Sequence, residues 1–267
     1  MLYIVATPIG NLDDLTIRAR EVLSRVDCIL AEDTRVSRKL LSHYGITVEV
    51  TAYHDFNKER VTPRLIAMLR EGREIALISD AGTPGIADPA FNLVREAIRE
   101  NIKVIPIPGP VAFIAALVGS GLPTDRFIFE NFLPAKSGRR KRILETIKTE
   151  PRTVIFYETP HRIISVLEDM AEVLGDVSVV IARELTKVFE EFLRGTPQEL
   201  LAHFVKHPPR GEMTVLVNTR IKNAWLEGPG RKDSIAMDPE GIAPPAETEF
   251  SGGINKGNRR YFDRIGQ

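Results

Sequence analysis

The stretch Ile75-Ala76-Leu77-Ile78-Ser79-Asp80-Ala81-Gly82-Thr83-Pro84-Gly85-Ile86-Ala87-Asp88-Pro89 decides how the chain reads. Four apolar residues in a row suit a buried strand and are too few for a helix. The eleven residues after them hold two glycines, two prolines and two aspartates. Glycines let a backbone approach a ligand closely, and prolines hold a loop in shape. This much punctuation exceeds what a connector needs, so the stretch predicts a ligand loop at a strand end. It is neither a Walker loop nor Gly-x-Gly-x-x-Gly, so nucleoside triphosphates and NAD lose support.

The same strand, loop and helix rhythm extends upstream. Residues 2–6 read as a strand, ended by Thr7-Pro8-Ile9-Gly10-Asn11. Asp14 and Thr16 are candidate caps for a helix over 17–24. A strand over 28–31 carries Glu32-Asp33-Thr34-Arg35 at its end, and a helix over 36–43 stops at Gly45. Residues 48–52 read as a strand with His54, Asp55 and Asn57 in a polar loop beyond it. Pro63 is expected to open a helix running to Leu69. Downstream lie a helix over 90–100 and a strand over 104–107, broken by Pro108-Gly109-Pro110-Val111. The strands are continuously apolar, as in a parallel sheet covered on both faces. Ligands then bind at the C-terminal ends of the strands.

A second alternation starts near Gly121-Leu122-Pro123. Strands are expected over 127–132, 153–157, 177–182 and 212–217, with helices over 139–148, 160–174 and 196–204. The fold class is α/β: an N-terminal α/β domain over 1–118 and a C-terminal one over 119–220. Residues 221–267 hold seven glycines, four prolines and one leucine, with no valine. They read as an atypical disordered tail.

Composition sets limits. Of 267 residues, 36 are Lys or Arg and 36 are Asp or Glu, so no bulk polycation binds nucleic acid by total charge. The single cysteine, Cys28, excludes a disulfide or cysteine-cluster metal site within one chain. The loop around His54 offers too few converging ligands for a metal, so none is expected. No run reaches 18 apolar residues, and the N-terminus reads as a strand with no secretion signal, which makes cytoplasm the expected location. Lys136, Arg139, Arg140, Lys141 and Arg142 place five bases within seven residues. They form either a solvated helix face or a patch for RNA phosphates. Arg183-Glu184-Leu185-Thr186-Lys187 follows a buried strand and suits a charged connector or a polar substrate pocket.

Five stretches in register carry a resemblance. They are Tyr3 to Asn11, Ala31 to Arg35, Ser79 to Pro89, Gly121 to Phe127, and Arg183 to Lys187. Over residues 1–220 the chain resembles the ribosomal RNA methyltransferases of the tetrapyrrole-methylase-like (class III) superfamily. The resemblance implies two α/β domains, a homodimer, and S-adenosylmethionine in the cleft between the domains. It implies 2′-O-methylation of a cytidine ribose in the decoding centre of 16S ribosomal RNA, on the small ribosomal subunit. Gly82-Thr83-Pro84 stands where the superfamily has Gly-Asp-Pro, flanked by Asp80 and Ile86. Pro8, Ile9, Pro108, Gly109, Val111, Tyr157, Leu185 and Met213 are implied to complete the donor pocket. Glu184 and Asp33 are the favoured bases, ahead of Asp80 and Glu32, with Arg183 orienting the acceptor. Phe56 replaces a histidine usual in these proteins, and the 221–267 segment stands where they carry a small helical module. The alternatives are a porphyrinoid methyltransferase and a non-catalytic ribosome-binding module.

Overall fold

Strands β1 (Leu2–Val5), β2 (Cys28–Ala31) and β4 (Ile75–Ile78) are buried at every residue. A strand with no exposed face needs cover on both sides, which crossover helices on a parallel sheet provide. The computed structural model describes residues 1–221, so the expectation for the tail lies outside the described residues. With β3 (Val50–Ala52) and β5 (Val104–Ile107) these strands form a parallel sheet in the order β3-β2-β4-β1-β5. Alternate side chains leave opposite faces. Tyr3, Val5, Ile29 and Ile78 pack on α1 (Ile17–Arg25) and α2 (Thr34–His43) through Val22, Leu23 and Leu41. Leu2, Ile4, Leu30 and Leu77 pack on α3 (Lys58–Arg70) and α4 (Ala90–Arg99) through Leu65, Leu69 and Leu93.

The second sheet, β6 (Phe127–Phe132), β7 (Thr153–Glu158), β8 (Ser178–Arg183), β9 (Glu191–Gly195) and β10 (Met213–Asn218), is mixed. Its order is β6-β7-β10-β8-β9, with only β6–β7 parallel. Helices α6 (Ser137–Ile147), α7 (Ile163–Leu174) and α8 (Pro197–Lys206) cover one face, burying Leu144, Val166, Met170 and Phe204 against Phe156, Ile181 and Val215. Helix α5 (Ala112–Ser120) covers the other through Phe113, Ala116 and Leu117.

Three elements differ from expectation. Helix α3 starts at Lys58, and Pro63 lies inside it. The Asn57 side chain accepts from His54 N (2.9 Å) and donates to Ala52 O (3.0 Å), so asparagine and not proline closes the preceding turn. Helix α5 has no counterpart in the sequence reading, because Ala112-Phe113-Ile114-Ala115-Ala116-Leu117-Val118 has no polar stripe. Strand β9 is a five-residue edge strand whose pattern is carried mainly by Phe192 and Leu193. Of the two cap candidates, Thr16 caps α1 by accepting from Ala19 N (3.1 Å).

The basic run splits. Lys136, Arg139 and Arg142 are exposed, but Arg140 is buried. Its guanidinium lies 2.6 Å from Asp169 on α7 and also donates to Ala135 O and Ser165 O. Arg140 therefore joins α6 to α7 and cannot meet RNA. Lys141 is committed to Glu172 at 2.6 Å. Removing one member of a buried, hydrogen-bonded pair leaves the other charge stranded. Arg140→Ala is expected to cost about 3–5 kcal/mol in chemical denaturation, whereas Arg139→Ala leaves the unfolding midpoint unchanged.

Candidate active site

The parallel strands end in loops that are bonded to one another. Thr7 and Gly82 form a bridge, with Thr7 N donating to Gly82 O (2.8 Å) and Gly82 N to Thr7 O (3.0 Å). Thr7 Oγ1 donates to Ser79 O (3.1 Å) and Ser79 Oγ to Gly82 O (3.0 Å). Thr83 Oγ1 donates to Pro110 O (3.1 Å), which ties in the loop after β5. Gly82 sits at φ +82°, a left-handed conformation natural to glycine. Asp88 accepts from Gly85 N (2.8 Å) and Ala90 N (2.9 Å), closing the loop onto α4. Asp80 accepts from Asp33 N (3.0 Å), drawing in the end of β2.

The second sheet supplies the opposite wall. The segment after β8 packs against Gly10, where a Cβ would lie 2.6 Å from Lys187 Cγ and 2.9 Å from Leu185 O. Glu184 and Thr186 both have positive φ, +50° and +65°. For a β-branched threonine this is a strained conformation. The backbone there is held by Glu190, which accepts from Thr186 N (2.6 Å).

Between the walls lies a cleft of about 350 Å³. Nine of the donor-pocket candidates line it: Ile9, Asp80, Gly82, Thr83, Ile86, Val111, Tyr157, Leu185 and Met213. Pro8, Pro108 and Gly109 do not. Pro8 is buried behind the wall, and Gly109 packs on Ala6, whose Cβ would lie 2.7 Å from an added Cβ. They are corrected from lining to support.

The catalytic candidates separate in the same way. Glu184 lines the cleft. It accepts from Lys187 Nζ (2.9 Å) and Glu212 N (3.2 Å), and the lysine hydrogen bond holds its carboxyl below the usual range. Asp33 is outside the lining. It caps α2 by accepting from Arg35 N (2.8 Å), and the Arg35 side chain pulls its carboxyl down to about 2. What separates Asp33 from Glu184 is its position: its carboxylate sits at the head of α2 and not in the cleft lining. Arg183 is also outside the lining, its Nε donating to Glu191 across the β8–β9 ladder at 2.5 Å. It braces the β8–β9 pair, and the structure does not bring it into the cleft lining.

Several lining residues escaped the sequence reading as site members, among them Phe132, Glu158, Thr159 and Glu212. The available signal for Glu158 was a carboxylate ending an otherwise apolar strand. Among the lining residues six are acidic, Glu32, Asp80, Asp88, Glu158, Glu184 and Glu212, and Lys187 is the one basic residue. Burial raises the carboxyl of Glu32, helped by the charges of Asp80, Asp88 and Asp55. Burial also raises Asp88 and Glu158. Burial works to lower Lys187, but the hydrogen bond to Glu184 and the charge of Glu212 leave it raised. Such a cleft favours a cationic ligand with an apolar body. His203 and His207, four residues apart, have ring centroids 4.7 Å apart. No group of three or more His, Cys, Asp or Glu suited to a metal occurs among the described residues. No helix among them is long and apolar enough to cross a membrane.

The chain is similar to known proteins in sequence and in fold. Residues 1–201 match the family model for Tetrapyrrole (Corrin/Porphyrin) Methylases. A ribosomal RNA small subunit methyltransferase I from Synechocystis sp. is 51% identical over 81% of this chain and 78% of its own length. The protein of that name from Escherichia coli O157:H7 is 52% identical over 81% and 77%. That from Thermotoga maritima is 46% identical over 81% and 97%. Among solved structures, cobalt precorrin-4 methyltransferase superposes with a TM-score of 0.62 at 19% identity, covering 81% of this chain and 94% of that one. Diphthine synthase gives 0.64 at 15% identity, covering 81% and 89%. These two likenesses concern the fold alone. With the loops after β1 and β4 bonded to each other and about half of the aligned residues identical to those relatives, the chain belongs to the tetrapyrrole methylase family, in its ribosomal RNA small subunit methyltransferase I branch.

Proposed function

We propose that this protein transfers a methyl group from S-adenosylmethionine to the ribose 2′-hydroxyl of a cytidine in the 16S RNA of the small ribosomal subunit. The observation that carries the reading is the cleft: nine donor-pocket candidates converge on it from both sheets. The names of the relatives supply the acceptor class. The donor fits the residues present. Ile9, Ile86, Val111, Leu185 and Met213 offer apolar cover for its adenosine, and the carboxylates suit its sulfonium and ammonium charges. At Gly82 an added Cβ would meet only ordinary contacts, Ile9 Cγ2 at 3.4 Å, so it is the positive φ of +82° that favours glycine there. When bound, the donor supplies an activated methyl group whose leaving thioether is neutral, so no acid is needed on that side.

The chain's own work is orientation and proton removal. A ribose hydroxyl is a weak nucleophile, so holding it in line contributes a large part of the rate. Glu184 is the proposed proton acceptor. Lys187 keeps it ionised across the neutral range and holds its oxygen in one place. Glu32 is the competing carboxylate, with the opposite tuning. Lys136, Arg139 and Arg142 remain as the proposed contact with the RNA backbone. Two copies of the chain are proposed to form the working dimer, in the cytoplasm.

The direct test incubates the protein with labelled donor and methyl-deficient small subunits and identifies the labelled nucleoside. Label in 2′-O-methylcytidine is expected, and label elsewhere or none rejects the reading. Glu184→Gln is expected to slow transfer at least tenfold with donor affinity nearly unchanged. A base must be deprotonated to act, so the rate falls as pH drops through its pKa. With Glu184 as base, that fall lies below the ordinary glutamate range. A fall above that range removes Glu184 and turns to the carboxyls that burial raises, of which Glu32 is the candidate. Neutralising Lys136, Arg139 and Arg142 together is expected to weaken subunit binding and flatten its salt dependence by up to about three counterions. An unchanged slope in a filter-binding titration reduces them to a solvated face.

A further inference from the structure

We propose that the turn after β8 carries a stacking platform for the substrate RNA. The Phe189 ring lies against an unstacked base next to the target nucleotide, and Arg210 on the adjoining loop meets a backbone phosphate there. The inference rests on the proposed function, which brings an RNA strand to this cleft.

Two turns in succession follow β8. Lys187 N donates to Glu184 O (3.0 Å) and Glu190 N to Lys187 O (3.1 Å), which leaves Val188 and Phe189 at the centre of the second. Central turn positions ordinarily hold Gly, Pro, Asn, Asp or Ser. Here they hold two apolar residues, 92% and 74% exposed. A single exposed apolar side chain is commonplace, but an adjacent pair at a turn tip gives the core nothing. The tip is also held at a cost, with Thr186 at φ +65° and its N–H donating to Glu190. A tip fixed in this way loses little entropy when a partner meets it.

The turn stands at the mouth of the cleft. Glu184, Leu185 and Lys187 of the same segment line the cleft, and Phe189 projects beside them into solvent. The loop between α8 and β10 packs on this segment. Glu212 N donates to Glu184 Oε1 (3.2 Å), and a Cβ added at Gly211 would collide with that oxygen. Arg210 lies on that loop, exposed, and among the described residues it pairs with no carboxylate. The acidic residues of the two segments are already engaged, Glu184 and Glu212 by Lys187 and Glu190 by Thr186 N. An exposed ring and an uncompensated guanidinium on neighbouring loops match a single strand, since aromatic faces stack on splayed bases and cations follow phosphates.

The test uses the full chain and methyl-deficient small subunits. Phe189→Ala, Phe189→Leu and Phe189→Trp are compared for KM toward subunits, for kcat, and for calorimetric affinity for S-adenosylmethionine. Alanine and leucine are expected to raise KM at least fivefold, and tryptophan to keep it near the unaltered value. Donor affinity stays unchanged in all three. Arg210→Gln is expected to raise KM and flatten the salt dependence of subunit binding by about one counterion. An unchanged KM with alanine overturns the proposal, and an unaltered slope with Arg210→Gln overturns its phosphate half. A leucine variant that keeps the unaltered KM shows that bulk suffices, which overturns the stacking. Sedimentation velocity covers the other occupant: if Phe189→Ala shifts the chain toward monomer, the tip seats a second copy, and the RNA contact is overturned. Absence of label in RNA with the unaltered protein overturns the proposed function as well. Label with equal KM values overturns this inference alone.

Discussion

The bridge between Thr7 and Gly82 is the constraint on which the rest of the cleft depends. A parallel ladder ends where its strands end, and the loops beyond are ordinarily free to part. Here the two strands that neighbour each other at the centre of the sheet continue to exchange backbone hydrogen bonds in their loops. The Thr7 hydroxyl adds a third bond to Ser79 O, and Thr83 carries the connection to Pro110. Loops after β1, β4 and β5 thus form one rigid wall. Burial of Thr7, which is 1% exposed, keeps water from competing for these bonds.

The facing wall is rigid for a different reason. Residues 184–187 hold two left-handed non-glycine positions, which cost on the order of 1–3 kcal/mol each. The surroundings over-determine the segment: Gly10 and Gly211 leave no room to relax, Leu185 is buried, and Glu184 and Lys187 are ion-paired. The result is one ammonium group set among six carboxylates. Opposite tuning of Glu32 and Glu184 follows, since burial, helped by acidic neighbours, raises Glu32 while the hydrogen bond from Lys187 lowers Glu184.

Legibility in the sequence followed period and punctuation. Four strands of the first sheet were visible as short apolar runs ended by polar or Gly/Pro residues, whereas β3 mixes Val50 and Ala52 with Thr51. The loop after β4 was visible as an irregular connection because glycines and prolines crowd it. Helix α5 was not, since even its exposed face is apolar, with Ile114 and Val118 turned outward, and no polar stripe marks it. The basic run misled in part: a helix turns 100° per residue, so Arg139 and Arg140 leave on different faces, and α7 places Asp169 beneath the second.

The sequence by itself determined the α/β alternation, the irregular loop after β4 and the family, because those rest on local composition and on motifs in a fixed order. Only the tertiary structure decided which charged residues face the cleft. Asp33 and Arg183 sit beside cleft residues in sequence but point to Arg35 and Glu191. Glu158, unmarked by any motif, was brought against Arg162 with its side chain closed to solvent. A side chain's role depends on the partner that folding brings within 3 Å of it, and that partner comes from another element of the chain as often as from its own.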